Sequence, residues 1–114
     1  MARYRHADLL AIVRDAAGAV LGSRLLAHLP AVRDDWQLRH HLRFGRNHVL
    51  QLGEMLEEDL GIILAPHDLA RLLEPGCTLA DAASLCVDVL NRQDELLARA
   101  AARPVIEAEA QHHG

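Results

Sequence analysis

The chain has few aromatic residues: Tyr4, Trp36 and Phe44 are its only three among 114. Apolar residues still make up 51% of it. Its core must therefore be built from Leu, Val, Ile and Ala, a set weighted towards helix formers and short of the aromatics that favour sheets. This predicts an all-α fold. Lysine is absent, so all twelve basic side chains are Arg; sixteen acidic residues bring the net charge to -4 and the pI to about 6.0. No basic footprint for nucleic acid results, and the balance points to protein partners. Cys77 and Cys86 lack C-x-x-C spacing, and no signal-peptide pattern opens the chain, so reduced thiols in a cytoplasmic protein are expected. No apolar run reaches the ~20 residues of a membrane span, and no membrane partner is expected. Hydroxyls are the sharpest deficit, for no serine or threonine occurs between Arg24 and Cys77.

A chain of this length forms one domain and buries roughly two-thirds of its extended surface, enough for a single core. Residues 7–21 set Leu9, Leu10, Val13, Ala16, Ala17, Val20 and Leu21 on one helical stripe, with Arg14 and Asp15 opposite and Gly22 as the stop. Residues 23–44 mix the apolar run 25–29 with Pro30 and the polar Arg33-Asp34-Asp35, which predicts a long connection holding at most one helical turn. A second helix from Arg46 or Asn47 to Leu60 buries Val49, Leu52, Leu56 and Leu60 and closes at Gly61. Ile62, Ile63 and Leu64 lead to Pro66, and only a short third helix fits before Pro75-Gly76, with Leu69, Leu72 and Leu73 inward. Thr78-Leu79-Ala80-Asp81 has the form of a capping box for a fourth helix carrying Leu79, Ala82, Ala83, Cys86, Val89 and Leu90.

The order and spacing of these elements resemble the acyl and peptidyl carrier proteins. The likeness is carried by Leu56-Glu57-Glu58-Asp59-Leu60-Gly61-Ile62 in the second helix, by Leu38 and Leu42 as anchors of the preceding loop, and by Thr78-Leu79-Ala80-Asp81-Ala82 opening the last helix. It covers about residues 7–90. It implies a four-helix bundle with a long loop between its first two helices and a short third helix. In that family the second helix opens with Asp-Ser-Leu, whose serine carries phosphopantetheine; here Gly45, Arg46 and Asn47 stand at those positions. With Arg46 in place of the serine, no phosphopantetheine attachment and no other cofactor are expected.

Around that position Arg39, His40, His41, Arg43, Arg46 and His48 fall within ten residues, where the resemblance implies acidic character. Arg39, Arg43, Arg46 and His48 are the candidate anion- or partner-binding residues, since helix amides and guanidinium groups together receive phosphate or carboxylate. A solvated basic loop is the competing reading. Glu54, Glu57 and Glu58, beside Asp59, form a candidate acidic recognition edge of the kind that steers association; a merely solvated face is the alternative. The histidines, including His40, His41, His48 and the 112–113 pair, lack zinc-ligand spacing, so no metal is expected. No Ser/His/Asp, Cys/His or paired-carboxylate pattern supports an enzyme. Gly53, costly by about 1 kcal/mol in a helix interior, either admits a close neighbour or reflects a relaxed pocket.

Residues 91–114 form an extension beyond the 1–90 carrier-like domain. Helix formers dominate up to Ala102, giving a prolonged fourth helix or a fifth one, with Pro104 ahead of a short segment 105–111. Leu96, Leu97 and Ala100 offer an apolar strip to the body of the domain or to a second copy. The function expected is that of an unmodified carrier-like binding or scaffolding partner of fatty-acid or polyketide type enzymes or of true carrier proteins. The alternatives are a helical regulatory module binding an anionic ligand or acidic partner, and a homodimeric structural protein.

Overall fold

The structure is a computed structural model that describes residues 4–22 and 33–102. Ser23, Arg24, the run 25–29, Pro104, segment 105–111 and the 112–113 histidines lie outside the described residues. Among the described residues four helices are formed: α1 (His6–Leu21), α2 (Arg46–Leu60), α3 (Pro66–Leu73) and α4 (Leu79–Ala102). No strand occurs among the described residues, and a single antiparallel bridge joins Gln37 to Thr78. The described residues form an all-helical bundle. None of these helices is long and apolar enough to cross a membrane.

The periodicity of each helix decides its buried face. Leu9 and Val13 of α1, Val49, Leu52 and Leu56 of α2, Leu72 of α3 and Leu79, Leu85, Cys86 and Val89 of α4 converge in one core. α1 packs against α4 and α2, and α3 closes against α2 and α4. Leu10, Val20, Leu21, Leu60, Leu69 and Leu73 are only partly buried at its margin. Gly61 ends α2 in the left-handed conformation (φ 64°, ψ 36°), its amide donating to Glu57 O, as a glycine after the last periodic leucine should. The chain then runs extended, so alternate residues turn inward: Ile62 and Leu64 are buried while Ile63 is 79% exposed.

Gly53 admits a close neighbour. A Cβ at this position would sit 3.0 Å from Leu69 Cδ2 and 3.5 Å from Leu64 Cδ1, so its bare surface is what lets α3 and the connector lie against α2. Residue 90, the expected end of the carrier-like region, lies within α4. α4 continues without interruption to Ala102, resolving the choice between a prolonged helix and a fifth one, and spans roughly 36 Å at 1.5 Å per residue. Strong helix formers on both sides of Asn91, with no Gly or Pro between them, leave nothing to stop it.

The connection ahead of α2 is held tightly where it is described. Leu38 N–H donates to Cys77 O (2.9 Å), Leu79 N–H to Trp36 O (3.0 Å) and Ala80 N–H to Asp34 O (2.9 Å). Leu38, Leu42 and Phe44 are buried in the core, so the two expected anchor leucines do anchor it. Thr78 and Asp81 form the expected capping box, with Asp81 N–H donating to Thr78 Oγ1 and Thr78 N–H to Asp81 Oδ2, each at 3.0 Å.

Leu56 is fully buried at the meeting of α2 with the rest of the core. Leu56→Ala is expected to lower stability by about 2–5 kcal/mol, through lost transfer energy and the cavity left behind. Chemical denaturation is the measurement, and an unchanged midpoint would contradict the packing.

Candidate functional site

The face singled out by the sequence begins where the loop enters α2. Leu42, Arg43 and Phe44 pass through a tight corner at which Arg43 is the only non-glycine residue with positive φ (59°) among those described. That conformation is uncommon for a residue bearing a Cβ. Burial of Leu42 and Phe44 on either side of Arg43 directs the arginine outward, and it is exposed. Gly45 is the N-cap of α2, and its N–H donates to His48 Nδ1 at 3.0 Å. Such an acceptor nitrogen is unprotonated. Arg46, the first residue of α2, is exposed. Among the described residues no acceptor outside the helix meets the amides of Arg46, Asn47 and His48.

The six basic residues therefore divide by what their side chains do. Arg39 Nη1 reaches across to Leu73 O at the end of α3 (3.4 Å), where a cation is favoured by the helix dipole. His41 accepts the Gln37 N–H at Nδ1 (2.9 Å), stacks on Trp36 with ring centroids 5.5 Å apart, and meets the edge of His40 at 4.8 Å. His48 lies 5.6 Å from the Phe44 ring, centroid to centroid, while it caps α2. Arg43 and Arg46 take part in no ion pair or side-chain hydrogen bond among the described residues. Of the four candidate binding residues, Arg39 and His48 thus have local structural partners, and Arg43 and Arg46 are left to solvent.

The acidic edge divides in the same way. Glu57 is half-buried and its Oε2 accepts the Leu64 N–H at 2.8 Å, so it ties the connector to α2. Glu54 and Glu58 are exposed one turn apart on the same helix face, with Asp59 exposed beside them. Among the described residues no three His, Cys, Asp or Glu side chains gather into a group able to hold a metal ion.

The thiols are poorly suited to chemistry. Burial, reinforced by the carboxylates of Asp81 and Glu74, pushes the Cys77 thiol up to about 11 despite nearby Arg71. Burial alone raises Cys86 to about 12. Both are protonated at neutral pH and are weak nucleophiles. Cys77 borders a cleft of about 340 Å³ together with Arg71, Glu74, Asp81 and Ser84. Arg71 is engaged by Asp88 at 3.5 Å, and Asp81 by the capping box.

One polar centre was missed by the sequence reading. Asp68, at the third position of α3, is the only buried charged residue among those described, at 1% exposure. Its Oδ2 accepts the Ala65 N–H (2.9 Å) and Arg92 Nη2 (2.8 Å), and its Oδ1 lies 3.3 Å from His67 Nε2. Gln93 Nε2 donates to Gly61 O at 3.1 Å. The middle of α4 is thereby pinned to the start of α3 and to the end of α2. Pro66 followed two residues later by an acid was a legible helix-start signal, but its long-range partner Arg92 was not. Burial acts to raise the Asp68 carboxyl, yet the Ala65 amide, Arg92 and His67 outweigh it and hold its pKa below the ordinary value.

A carboxyl with its folded-state pKa lowered contributes stability that is present above the unfolded value and is lost as pH falls through the folded one. Asp68→Asn is therefore expected to cost about 1–3 kcal/mol at neutral pH, with the difference from wild type shrinking only below about pH 4. Urea melts of both proteins from pH 7 to pH 2 test this. A constant difference across that range would contradict an ionised, paired Asp68.

The chain matches no protein-family model, no curated protein and no solved structure.

Proposed function

We propose that this protein is an unmodified relative of the acyl and peptidyl carrier proteins that acts as a binding or scaffolding partner in a biosynthetic assembly and carries no acyl chain. The observation that carries the reading is Arg46. It occupies the exposed first position of α2, and the order of the described elements, a helix, an anchored connection, a helix, a short helix and a Thr-capped helix, supports the carrier reading. Phosphopantetheine transfer requires a hydroxyl there to attack phosphorus, and no serine or threonine lies within twenty residues of Arg46 on either side. The pathway class, fatty-acid or polyketide, follows from the resemblance alone.

The partner's chemistry is argued from the two arginines. Arg43 and Arg46 are exposed and unpaired among the described residues, and they flank the open amide end of α2, where the helix dipole favours negative charge. An acidic protein surface, such as the acidic face of a true carrier, is complementary to this end of the helix. Exposed charges of this kind act mainly on association rate and are screened over about 8 Å at physiological ionic strength.

Two measurements test the reading. Incubation with coenzyme A and a broad-specificity phosphopantetheinyl transferase is expected to leave the intact mass unchanged. Arg46→Ser is expected to react poorly as well, because Gly45 and Asn47 supply neither the acidic nor the apolar neighbour of the modified serine. A gain of one phosphopantetheine by the wild type would overturn the proposal. Titration against an acidic acyl carrier protein is expected to give salt-sensitive binding, weakened about ten-fold or more in the Arg43→Glu/Arg46→Glu double variant. Identical isotherms for the two proteins would remove the arginines from the interface.

A further inference from the structure

The distal part of α4 carries apolar residues yet covers nothing among the described residues. Every residue from Glu95 to Ala101 is exposed, including Leu96 at 57% and Leu97 at 61%. On the helix wheel Leu96 and Ala100 continue the stripe of the buried Val89 beyond the point where the body of the protein ends. At its near end the strip opens into a groove of about 290 Å³ lined by Ile63, Val89, Arg92, Gln93 and Leu96. Arg92 is already bonded to Asp68, and Gln93 to Gly61 O. The polar walls of the groove are thus satisfied within the protomer, which lowers the desolvation cost of covering it.

We infer that this face is the docking surface for a second copy of the chain, formed by antiparallel pairing of the distal halves of two α4 helices. The charges select that partner. Between Glu95 and Ala102 the only charged side chains are Glu95 and Arg99; the others are Leu96, Leu97 and four alanines. The segment is neutral and carries one acid and one base a single turn apart. Antiparallel pairing brings Glu95 of each copy beside Arg99 of the other, with two opposite-charge pairs generated by one twofold axis. A strongly acidic or basic partner finds no complementary field here, and a membrane surface finds no cluster of cations. The alanines let two helices approach closely, with the leucines and Ile63 supplying the apolar contact. The face is small for a specific interface, so the dimer is concentration-dependent. The inference is independent of the carrier reading, because it uses nothing from α2.

Sedimentation of the full chain over a wide concentration range is the test. The mass is expected to rise from 12.6 kDa towards twice that value. Leu96→Asp/Leu97→Asp is expected to remain monomeric with unchanged helical circular dichroism, since both side chains are already exposed. Glu95→Arg and Arg99→Glu are each expected to weaken association about ten-fold or more by placing like charges opposite, and the double exchange to restore it. A wild type that stays monomeric at all concentrations overturns the inference, whether residues 103–114 or a different protein covers the strip. Association insensitive to the leucine and charge variants overturns it equally.

Discussion

The arrangement depends on the three backbone hydrogen bonds that seat residues 34–38 on the start of α4. A helix opens with four amides that have no partner within it. In α4 all four are met: Thr78 by Asp81 Oδ2, Leu79 by Trp36 O, Ala80 by Asp34 O and Asp81 by Thr78 Oγ1. Two of these acceptors come from the connection that precedes α2. Residues 34–38, which belong to no helix, thereby become part of the framework, and the buried Leu38, Leu42 and Phe44 deliver the chain to Gly45 in a fixed direction. Arg14 of α1 reinforces the seat from below with an ion pair to Asp34 at 3.7 Å.

The two helix starts are consequently unlike. That of α4 is filled by the protein's own carbonyls and side chains and has no capacity for a ligand. That of α2 is closed only at Gly45, by His48, and is bordered by two outward arginines. Cations at this end oppose the helix dipole by a few tenths of a kcal/mol to about 1, a cost that an anionic partner would reverse. The same economy separates the remaining charged residues. Arg39, Glu57 and Asp68 are engaged in holding loops to helices and His41 in holding the loop to itself, whereas Arg43, Arg46, Glu54 and Glu58 stay at the surface. Proximity in sequence made Arg39 and Arg46 look like members of one cluster. Their surroundings diverge because the loop turns between them.

Much of the fold was legible because it rests on local rules. The stripe of α1, the cap at Gly61, the shortness of α3 between two prolines and the Thr78 capping box are each set by residues within a turn or two of one another, and each is found where expected. The anchor leucines were legible only through the family resemblance, since nothing in the loop's own composition announces burial. The Asp68–Arg92 pair joins residues 24 apart in sequence, and no pattern local to either one signals it. Gly53 was recognisable as an anomaly, but its cause, the Leu69 side chain lying against α2, belongs to a different helix. For the candidate site, residue types were legible and their allocation was not, because whether an arginine is free or capping a distant carbonyl is decided by tertiary contacts.

Native-state amide hydrogen exchange, residue by residue, tests most directly the claim that the connection is part of the framework. The account predicts that the amides of Leu38, Leu79 and Ala80 exchange only through global unfolding, as slowly as those of buried Val13 and Leu56. Exchange of Leu79 and Ala80 at the rate of freely exposed amides, with the core still protected, would contradict it: the connection would then be a loosely attached loop, and the start of α4 open to solvent.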